Sequence, residues 1–304
     1  MKITVVGPGA LGSLFGALLG RAGHRIQLLD HQRPRAALLA ARGLLLEENG
    51  RKERVSILAT TEPAAVAGSD LIFLCVKSGA VGESLAAIAS FLSPSSLLIA
   101  CQNGIGHLEP LRRLVPADRR SVAVTAQGAT LIAPGHVRHG GSGPTRLGVI
   151  EPPVPAVLTQ AAGVLTAAGI PALVEGDISQ AIWRKLLANA AINALTALHD
   201  CPNGHLAADS RLRKELSQAV AEGAAVAKAL KVEVGSDPVA DVLAICRATA
   251  ENISSMLQDV RRRRRTEIDA INGAIVAEAR RLGIPVPVNE RLLQAVKARE
   301  GDFG

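Results

Sequence analysis

A glycine-rich turn near the start of the chain constrains the fold more than any other feature. Ile3–Val6 is a short apolar run typical of a buried strand, and the residues from Ser13 onward continue as a helix. Between them, the motif G-x-G-x-x-G allows a tight turn, close approach of a pyrophosphate and close packing of helix on strand. It predicts a dinucleotide site at a helix N-terminus, whereas a ligand-free glycine turn is the alternative. Its residues are Gly7, Pro8, Gly9, Ala10, Leu11 and Gly12.

The second predicted strand, Arg25–Leu29, ends at an acidic residue that bears on the choice of dinucleotide. Asp30 follows the last motif glycine by 30 − 12 = 18 residues, where a carboxylate accepts hydrogen bonds from an adenosine ribose and favours NAD. His31, Arg33 and Arg35 follow at once, and any of them could instead bind the 2′-phosphate of NADP. A solvated basic loop is the third interpretation, and the sequence leaves all three open.

The two halves of the chain differ in their hydrophobic periodicity. Up to about residue 175, short apolar runs alternate with amphipathic or turn-rich stretches, which is typical of a parallel sheet with crossover helices. The predicted strands are Ile3–Val6, Arg25–Leu29, Leu71–Val76, Leu97–Cys101 and Ser121–Thr125, followed by His136–His139, Thr145–Ile150 and Ala172–Val174. We therefore expect a dinucleotide-binding domain of the Rossmann type over residues 1–176.

Beyond Asp177 the strand signal stops and helical periodicity takes over. Helices are predicted over about 178–199, 207–231, 237–260, 261–282 and 287–298. The 304 residues suffice for two domains with real cores, since about 150 residues is a usual domain length. We expect an all-helical substrate and catalytic domain over residues 177–304 and an active site in a cleft between the two domains.

One helix of the second half carries a polar stripe within apolar surroundings. Lys185, Asn189 and Asn193 are spaced by four residues, so they lie near one face of the predicted helix. Burying such groups without partners costs about 1–3 kcal/mol each. The stripe therefore either meets partners in a wet cavity or lies on an exposed helix face, and this helix alone does not decide between them.

A second polar stripe is predicted further along. Ser255, Asp259, Arg263 and Glu267 are again four residues apart and would share one face if the helix were continuous. A carboxylate opposite a lysine suits a hydride-transfer site, where it holds an ammonium in place as general acid. Ordinary surface pairing between acids and arginines is the alternative.

Composition and charge exclude several other classes of protein. The net charge of +7 suits nucleic acid, an anionic membrane or small anions, but aromatic residues make up 2% of the chain, too few for a platform that stacks bases. The five arginines 261–265 wrap around a predicted helix rather than forming one basic face. No run of 18 apolar residues predicts a membrane span. We expect neither nucleic acid nor membrane as a partner.

The cysteines and histidines indicate neither a disulfide framework nor a metal site. Four cysteines without C-x-x-C spacing suggest buried thiols in a reducing cytoplasm, where we expect the protein to reside. His136 and His139 are three apart but lack further ligands, so no metal is predicted. Neither G-x-S-x-G nor a P-loop occurs, which leaves acyl and phosphoryl transfer without support.

Taken in order and spacing, these motifs resemble the ketopantoate reductase family from the first strand to the last helix. The resemblance implies a Rossmann-like domain followed by a helical domain of the 6-phosphogluconate dehydrogenase C-terminal type. It also implies NADPH-dependent reduction of ketopantoate to D-pantoate in pantothenate biosynthesis, by a monomer or homodimer. The motifs are Lys2–Gly12, Val76-Lys77, Cys101-Gln102-Asn103-Gly104, Trp183-Arg184-Lys185-Leu186, Cys201-Pro202-Asn203-Gly204, Ser254–Asp259 and Thr266–Gly273.

The resemblance also implies a role for each site residue. Lys185 would be the general acid, with Glu267 beside the cofactor and the reacting carbon. Asn103 would touch both cofactor and substrate, and Lys77 would be the cofactor-side lysine. The positions that would hold the substrate's hydroxyl and carboxylate are Asn103, Asn189, Asn193, Asn203 and Ser255.

One departure from the family pattern leaves the choice between NADPH and NADH open. Members that use NADPH commonly place arginine where the second strand ends, but here Asp30 and His31 stand there and arginine is delayed to Arg33 and Arg35. NADPH is expected and NADH stays an alternative. A reductase of another branched 2-keto acid is the alternative function, and a non-catalytic dinucleotide sensor or nucleic-acid module is a third.

Overall fold

The computed structural model describes residues 1–303 and divides into two compact units. Unit 1 comprises Met1–Gln102 and His107–Ile178. Unit 2 comprises the short segment Asn103–Gly106 and the chain from Ser179 onward. Between residues 1 and 303, no helix is long and apolar enough to cross a membrane. The predicted assignment of a dinucleotide-binding role to residues 1–176 and a substrate role to 177–304 stays a prediction.

Unit 1 is built on an eight-stranded sheet in the order β12-β11-β8-β7-β6-β1-β2-β5. All neighbours in this sheet are parallel except β8 and β11. Because β1 lies between β2 and β6, the strand order reverses there, and ligands of such sheets bind at the carboxyl ends beside the reversal. The strands are β1 Lys2–Val6, β2 Arg25–Leu29, β3 Leu44–Glu48, β4 Arg51–Val55, β5 Leu58–Thr60, β6 Leu71–Leu74, β7 Leu97–Ala100, β8 Arg120–Thr125, β9 Gly128–Ala133, β10 His136–Gly141, β11 Thr145–Val149 and β12 Ala172–Asp177.

Five helices complete unit 1, together with a second sheet of four strands in the order β4-β3-β10-β9. The aliphatic core includes Val5, Leu14, Leu28 and the only aromatic pair that the structure records, Phe15 against Phe73 with ring centroids 5.6 Å apart. The helices are α1 Ala10–Arg21, α2 Arg33–Arg42, α3 Val81–Ile88, α4 Leu108–Leu114 and α5 Val157–Ala167. This arrangement confirms the predicted Rossmann-like fold.

The sequence did not predict four of the strands. β4 reads Arg-Lys-Glu-Arg-Val and four of its five side chains are exposed, so it carries no apolar alternation. β3 pairs with it in antiparallel register, and Arg21 at the end of α1 forms ion pairs with Glu48 of β3 and Glu53 of β4. Pairing with neighbours rather than hydrophobic pattern fixes β4. β3, β5 and β9 were missed as well, although β3 buries Leu44 and Leu46 in the alternation typical of a strand.

Unit 2 is helical, as predicted. Its central helix, α6, is buried on nearly all sides from Leu186 to Ala197, and α8, α10 and α12 pack around it. The helices are α6 Ser179–His199, α7 Asn203–Ala208, α8 Ser210–Ala229, α9 Pro238–Ala248, α10 Ser255–Arg261, α11 Asn272–Leu282 and α12 Pro287–Gly301.

Two predicted helices are wrong in extent. The helix expected over 237–260 breaks between α9 and α10, where Ser254 starts a new helix by accepting a hydrogen bond from Leu257 N. The helix expected over 261–282 is helical only from Asn272, because α10 ends within the arginine run. Arg263 there has φ of 51°, and the N–H groups of Arg263 and Arg264 donate to Val260 and Asp259 carbonyls. This left-handed cap ends α10, so the stripe from Ser255 to Glu267 is not one helix face.

A buried amide network joins four helices of unit 2. Asn272 Nδ2 donates to the Ala190 carbonyl of α6 at 3.0 Å and to Asn289 Oδ1 at 3.1 Å. Asn289 in turn donates to the Ala219 carbonyl and to the carboxylate of Glu222. Both asparagines are fully buried, so the network fixes α11 against α6.

We expect Asn272→Ala to lower the free energy of unfolding by about 1–3 kcal/mol, because it leaves buried acceptors unpaired. Urea denaturation followed by circular dichroism measures this change. Asn252→Ala is the matched control, since that side chain is exposed and should leave the midpoint near the wild-type value. Equal midpoints for the two variants would contradict the network's role.

Candidate active site

The glycine-rich turn joins β1 to α1 at the carboxyl end of the sheet. Gly7 has φ of +90°, a conformation that favours glycine, and its N–H donates to the Leu29 carbonyl at 2.9 Å. A Cβ on Gly7 would lie 2.7 Å from Val76 Cγ1. A Cβ on Gly12 would lie 2.3 Å from the Gly7 carbonyl oxygen, so the helix can approach the turn only because residue 12 is glycine.

The same turn offers a place for a pyrophosphate. A Cβ added to Gly9 would meet no atom within 4 Å, so the space above its backbone is open. Gly9 also precedes α1, and no side chain caps that helix among residues 1–303. The first N–H groups of α1 therefore point toward solvent at the positive end of the helix dipole. Open space and uncapped amides together fit a diphosphate.

Asp30, at the end of β2, is not presented to solvent. Its side chain is fully buried, and Arg35 donates to both carboxylate oxygens, with Nη2 to Oδ1 at 2.6 Å and Nε to Oδ2. The N–H of Gln32 donates to Oδ1 as well. His31 is 78% exposed along its side chain and Arg33 is exposed. The guanidinium of Arg35, 21% exposed, thus pairs with the carboxylate for which ribose binding was one of three interpretations.

The residues that follow β6 pack against the glycine turn. Val76 packs against Gly7, and the exposed Lys77 follows it directly. The carboxamide of Gln102 donates from Nε2 to the Leu74 carbonyl at 2.8 Å and to the Val76 carbonyl at 3.0 Å. Lys77 therefore extends from backbone that a buried side chain fixes in place.

The thiols of Cys75 and Cys101 lie behind the same strand ends. All four cysteines are free. A hydrogen bond with Cys101, together with burial, raises the pKa of the Cys75 thiol. A Cβ on Gly12 would lie 3.1 Å from Cys75 Cβ, so Cys75 packs beneath the turn as a small side chain.

In unit 2 the predicted stripe lies on the buried helix α6. Lys185 and Asn189 are half-buried and Asn193 is 6% exposed, so this face is not a free helix surface. The three residues span about 12 Å at 1.5 Å per residue. The stripe continues to Thr196, whose Oγ1 lies 2.7 Å from Ser254 Oγ. This contact places the start of α10, and hence Ser255, at the end of the stripe.

Asn203 lies in a turn that docks on the segment before α10. Its N–H donates to the Asn252 carbonyl and its Nδ2 donates to Thr249 Oγ1 at 2.9 Å. Its Oδ1 is buried without a donor among the described residues. A hydroxyl donor that reaches Oδ1 would satisfy it.

Glu267 lies in the turn between α10 and α11, where it meets Asn103. Asn103 Nδ2 donates to Glu267 Oε2 at 3.1 Å, although the two residues are 164 positions apart. The neighbouring Gly104 has φ of +78°, and a Cβ there would lie 2.0 Å from the Ala270 carbonyl oxygen. Gly104 thus lets the segment 103–106 lie against the turn that carries Glu267.

The histidine pair and two residues of the arginine run contact neighbouring residues of their own unit. No group of three or more His, Cys, Asp or Glu side chains could hold a metal within residues 1–303. His136 and His139 instead meet Glu47 and Glu48 across the small sheet. Of the arginine run, Arg261 pairs with Asp200 and Arg263 donates to the Asp302 carbonyl.

Sequence reasoning missed three residues that support the site. Asn272 and Gln102 each place a buried carboxamide under predicted site residues, and Thr196 links α6 to α10. The available signal was a polar side chain within an apolar segment, which is costly unless paired. The α6 stripe repeats this signal at a spacing of four residues, whereas each of these three residues shows it singly.

Comparison with known proteins agrees with this geometry. The family model described as "Ketopantoate reductase PanE/ApbA" matches residues 3–152. The model described as "Ketopantoate reductase PanE/ApbA C terminal" matches residues 177–300. The two matches together cover most of the chain.

Individual relatives match along their whole length. The 2-dehydropantoate 2-reductase of Halobacterium salinarum is 34% identical over 303 residues, covering 99% of this chain and 100% of that protein. A PanE/ApbA family ketopantoate reductase from Ralstonia eutropha superposes with a TM-score of 0.91 at 33% identity, covering 100% and 99%. A D-mandelate dehydrogenase with NADH and anilino(oxo)acetate superposes with a TM-score of 0.90 at 29% identity, covering 100% and 99%.

Proposed function

Because this chain belongs to the ketopantoate reductase family, we propose that it reduces 2-dehydropantoate (ketopantoate) to D-pantoate with NADPH. It is an oxidoreductase whose cofactor is a nicotinamide dinucleotide. The reaction transfers a hydride to the substrate's C2 carbon and a proton to the carbonyl oxygen, leaving a secondary alcohol and the oxidised cofactor. Residues 1–176 would hold the dinucleotide, and residues 177–304 would supply the proton and bind substrate.

The observation that carries the proposal is Lys185 on a buried helix with asparagines at the next two turns. A half-buried ammonium can give a proton to the carbonyl oxygen as negative charge develops there. Asn189 and Asn193 are neutral, so they can bind substrate oxygens without quenching the charge of the lysine. The ammonium Nζ would be reprotonated from solvent after each turnover.

The remaining side chains fit the hydroxyl and carboxylate groups of a small 2-keto acid. The buried Asn203 Oδ1 lacks a donor, which a substrate hydroxyl would supply. Ser255 follows the fixed Ser254 and offers a hydroxyl donor to a carboxylate. These side chains discriminate a substrate that carries a hydroxyl from one that lacks it, since the latter leaves a buried acceptor unpaired.

Asn103 and Glu267 act as a pair in this proposal. Glu267 accepts from Asn103 Nδ2, and the amide oxygen of Asn103 is an acceptor by its chemistry. An ionised carboxylate accepts charge-assisted hydrogen bonds, so it can orient donor groups of the site. We propose that Asn103 contacts both cofactor and substrate and that Glu267 holds the charged groups of the site in place.

The dinucleotide, when bound, supplies the hydride. The N–H groups at the start of α1 would hold its pyrophosphate above Gly9, and Lys77 would add a positive charge at the end of β6. The other contacts of the turn come from the backbone of Gly7, Pro8, Ala10, Leu11 and Gly12.

The ion pair at the end of β2 favours NADPH over NADH. Asp30 is buried and its two oxygens already accept from Arg35, so a ribose hydroxyl would have to displace the guanidinium. Arg35 uses Nε and Nη2 for this pair, which leaves Nη1 and one further N–H to donate. A 2′-phosphate suits these donors, because a guanidinium binds phosphate with charge-assisted hydrogen bonds.

Arg35→Ala should therefore raise the KM for NADPH by about ten- to a hundredfold while changing the KM for NADH much less, because only NADPH carries the phosphate. Initial rates at saturating ketopantoate with each cofactor measure the ratio. Arg42→Ala is the control, since Arg42 is exposed in the last turn of α2, away from Asp30. Equal changes in both KM values for Arg35→Ala would refute its role in cofactor choice.

A second candidate function is reduction of another 2-keto acid with NADH or NADPH. It rests on the likeness to D-mandelate dehydrogenase, a protein named for a different 2-hydroxy acid. The unsatisfied acceptor on Asn203 favours ketopantoate, because that substrate carries a hydroxyl that simple branched 2-keto acids lack. Comparing kcat/KM for ketopantoate and 2-ketoisovalerate separates the two functions.

A further inference from the structure

We propose that Gln102 is a positioning residue for the dinucleotide site, acting through the end of β6. This inference rests on the proposed function and gives a role to Gln102, a residue of the Cys101–Gly104 motif to which the resemblance assigns none. It concerns residues of unit 1 alone.

The backbone pairing between β6 and β7 ends just before Gln102. β6 and β7 pair as parallel strands up to Leu74 and Ala100, and Cys101 N donates to the Leu74 carbonyl at 3.0 Å. The next residues of the chain pass into unit 2 at Asn103. Gln102 Nε2 donates to the carbonyls of Leu74 and Val76, so its side chain continues the ladder beyond the last paired residues.

The end of β6 contacts the glycine turn and leads into Lys77. Val76 is the residue against which Gly7 of the glycine turn packs, and a Cβ on Gly7 would come within 2.9 Å of Val76 N. Lys77 follows directly and begins the next turn, with its carbonyl accepting from Ala80 N. One buried carboxamide thus supports both the turn that would hold the pyrophosphate and the lysine beside it.

The carboxamide of Gln102 is itself buried. Gln102 is 8% exposed, and its Oε1 is buried without a donor in the described residues. Both bonds made by Nε2 fix the orientation of the amide, so the open acceptor does not arise from a reversed side chain. A buried polar side chain with an unpaired atom is retained at a cost, which points to a functional role. A hydroxyl of the bound dinucleotide or an ordered water would satisfy Oε1.

The test is direct titration of NADPH and NADH fluorescence with Gln102→Glu, a variant of nearly the same size. The substitution replaces both N–H donors with oxygens that face two carbonyls. At pH 8 the Kd for the dinucleotide should rise about tenfold or more, because the strand end is no longer held. At pH 6 the Kd should recover in part, because a protonated carboxyl can again donate to one carbonyl. At saturating cofactor, kcat should change far less than KM.

Gln160→Glu on α5 is the control. Gln160 is exposed, and α5 packs on β11 and β12 at the far end of the strand order from β1 and the glycine turn. The control should bind dinucleotide as the wild type does at both pH values. Unchanged binding by Gln102→Glu, or equal losses in the two variants, would overturn the inference. Tight binding by wild type without ketopantoate reduction would reject the proposed function alone, whereas no binding of either dinucleotide would reject both.

Discussion

Lys185→Ala should lower kcat for ketopantoate reduction by about a hundred- to ten-thousandfold. A positioned general acid typically contributes a factor of that size, equivalent to about 3–5 kcal/mol of transition-state stabilisation. The loss should fall on kcat, because the proton is needed in the transition state and less in the ground-state complex. Stopped-flow and steady-state oxidation of NADPH measure it.

The control for this variant is Lys214→Ala on α8, an exposed lysine of the same unit. Both proteins should unfold cooperatively near the wild-type midpoint, since Lys185 is half-buried and its methylenes add little to the core. Near-normal turnover by a folded Lys185→Ala protein would contradict the assignment of the proton donor.

Gly12→Ala should weaken dinucleotide binding by about tenfold or more. Its Cβ would lie 2.3 Å from the Gly7 carbonyl oxygen and 3.1 Å from Val5 Cγ1, so the helix must move away from the turn. Moving α1 displaces the N–H groups that would hold the pyrophosphate. The KM for NADPH and the Kd from fluorescence titration should rise together.

Two further variants separate binding from folding. Gly9→Ala adds a Cβ into open space, so stability should hold while the methyl obstructs the approach of a pyrophosphate. Gly163→Ala in α5 also adds a Cβ into open space but lies within a helix away from the turn, so binding should not change. Normal affinity in both Gly12→Ala and Gly9→Ala would place the dinucleotide elsewhere.

Much of the fold followed from periodicity, because its strands and helices are buried. β1, β2, β7 and α6 are apolar enough for pattern to specify them. The wrong predictions concern elements whose position depends on strand pairing or on a helix cap. β4 is charged and held by its neighbours, and α10 ends because Arg263 adopts a left-handed conformation that no sequence rule for arginine predicts.

The candidate site was predictable only in part, for a similar reason. The residues of the glycine motif and of the α6 stripe are close together in sequence, so their spacing predicts them. The hydrogen bond between Asn103 and Glu267 joins residues 164 positions apart, and the Asp30–Arg35 pair depends on how the end of β2 meets α2. Spacing suggested one helix face for Ser255 and Glu267, whereas the structure places Glu267 in a turn.

The most direct test of the central claim is the fall in absorbance at 340 nm when the purified protein is mixed with ketopantoate and NADPH. Parallel reactions use NADH in place of NADPH and 2-ketoisovalerate in place of ketopantoate. The proposed function predicts rapid oxidation of NADPH with ketopantoate, a lower kcat/KM with NADH, and a lower kcat/KM with the keto acid that lacks a hydroxyl. No oxidation of either cofactor by ketopantoate, or a kcat/KM no higher than that for 2-ketoisovalerate, would contradict it.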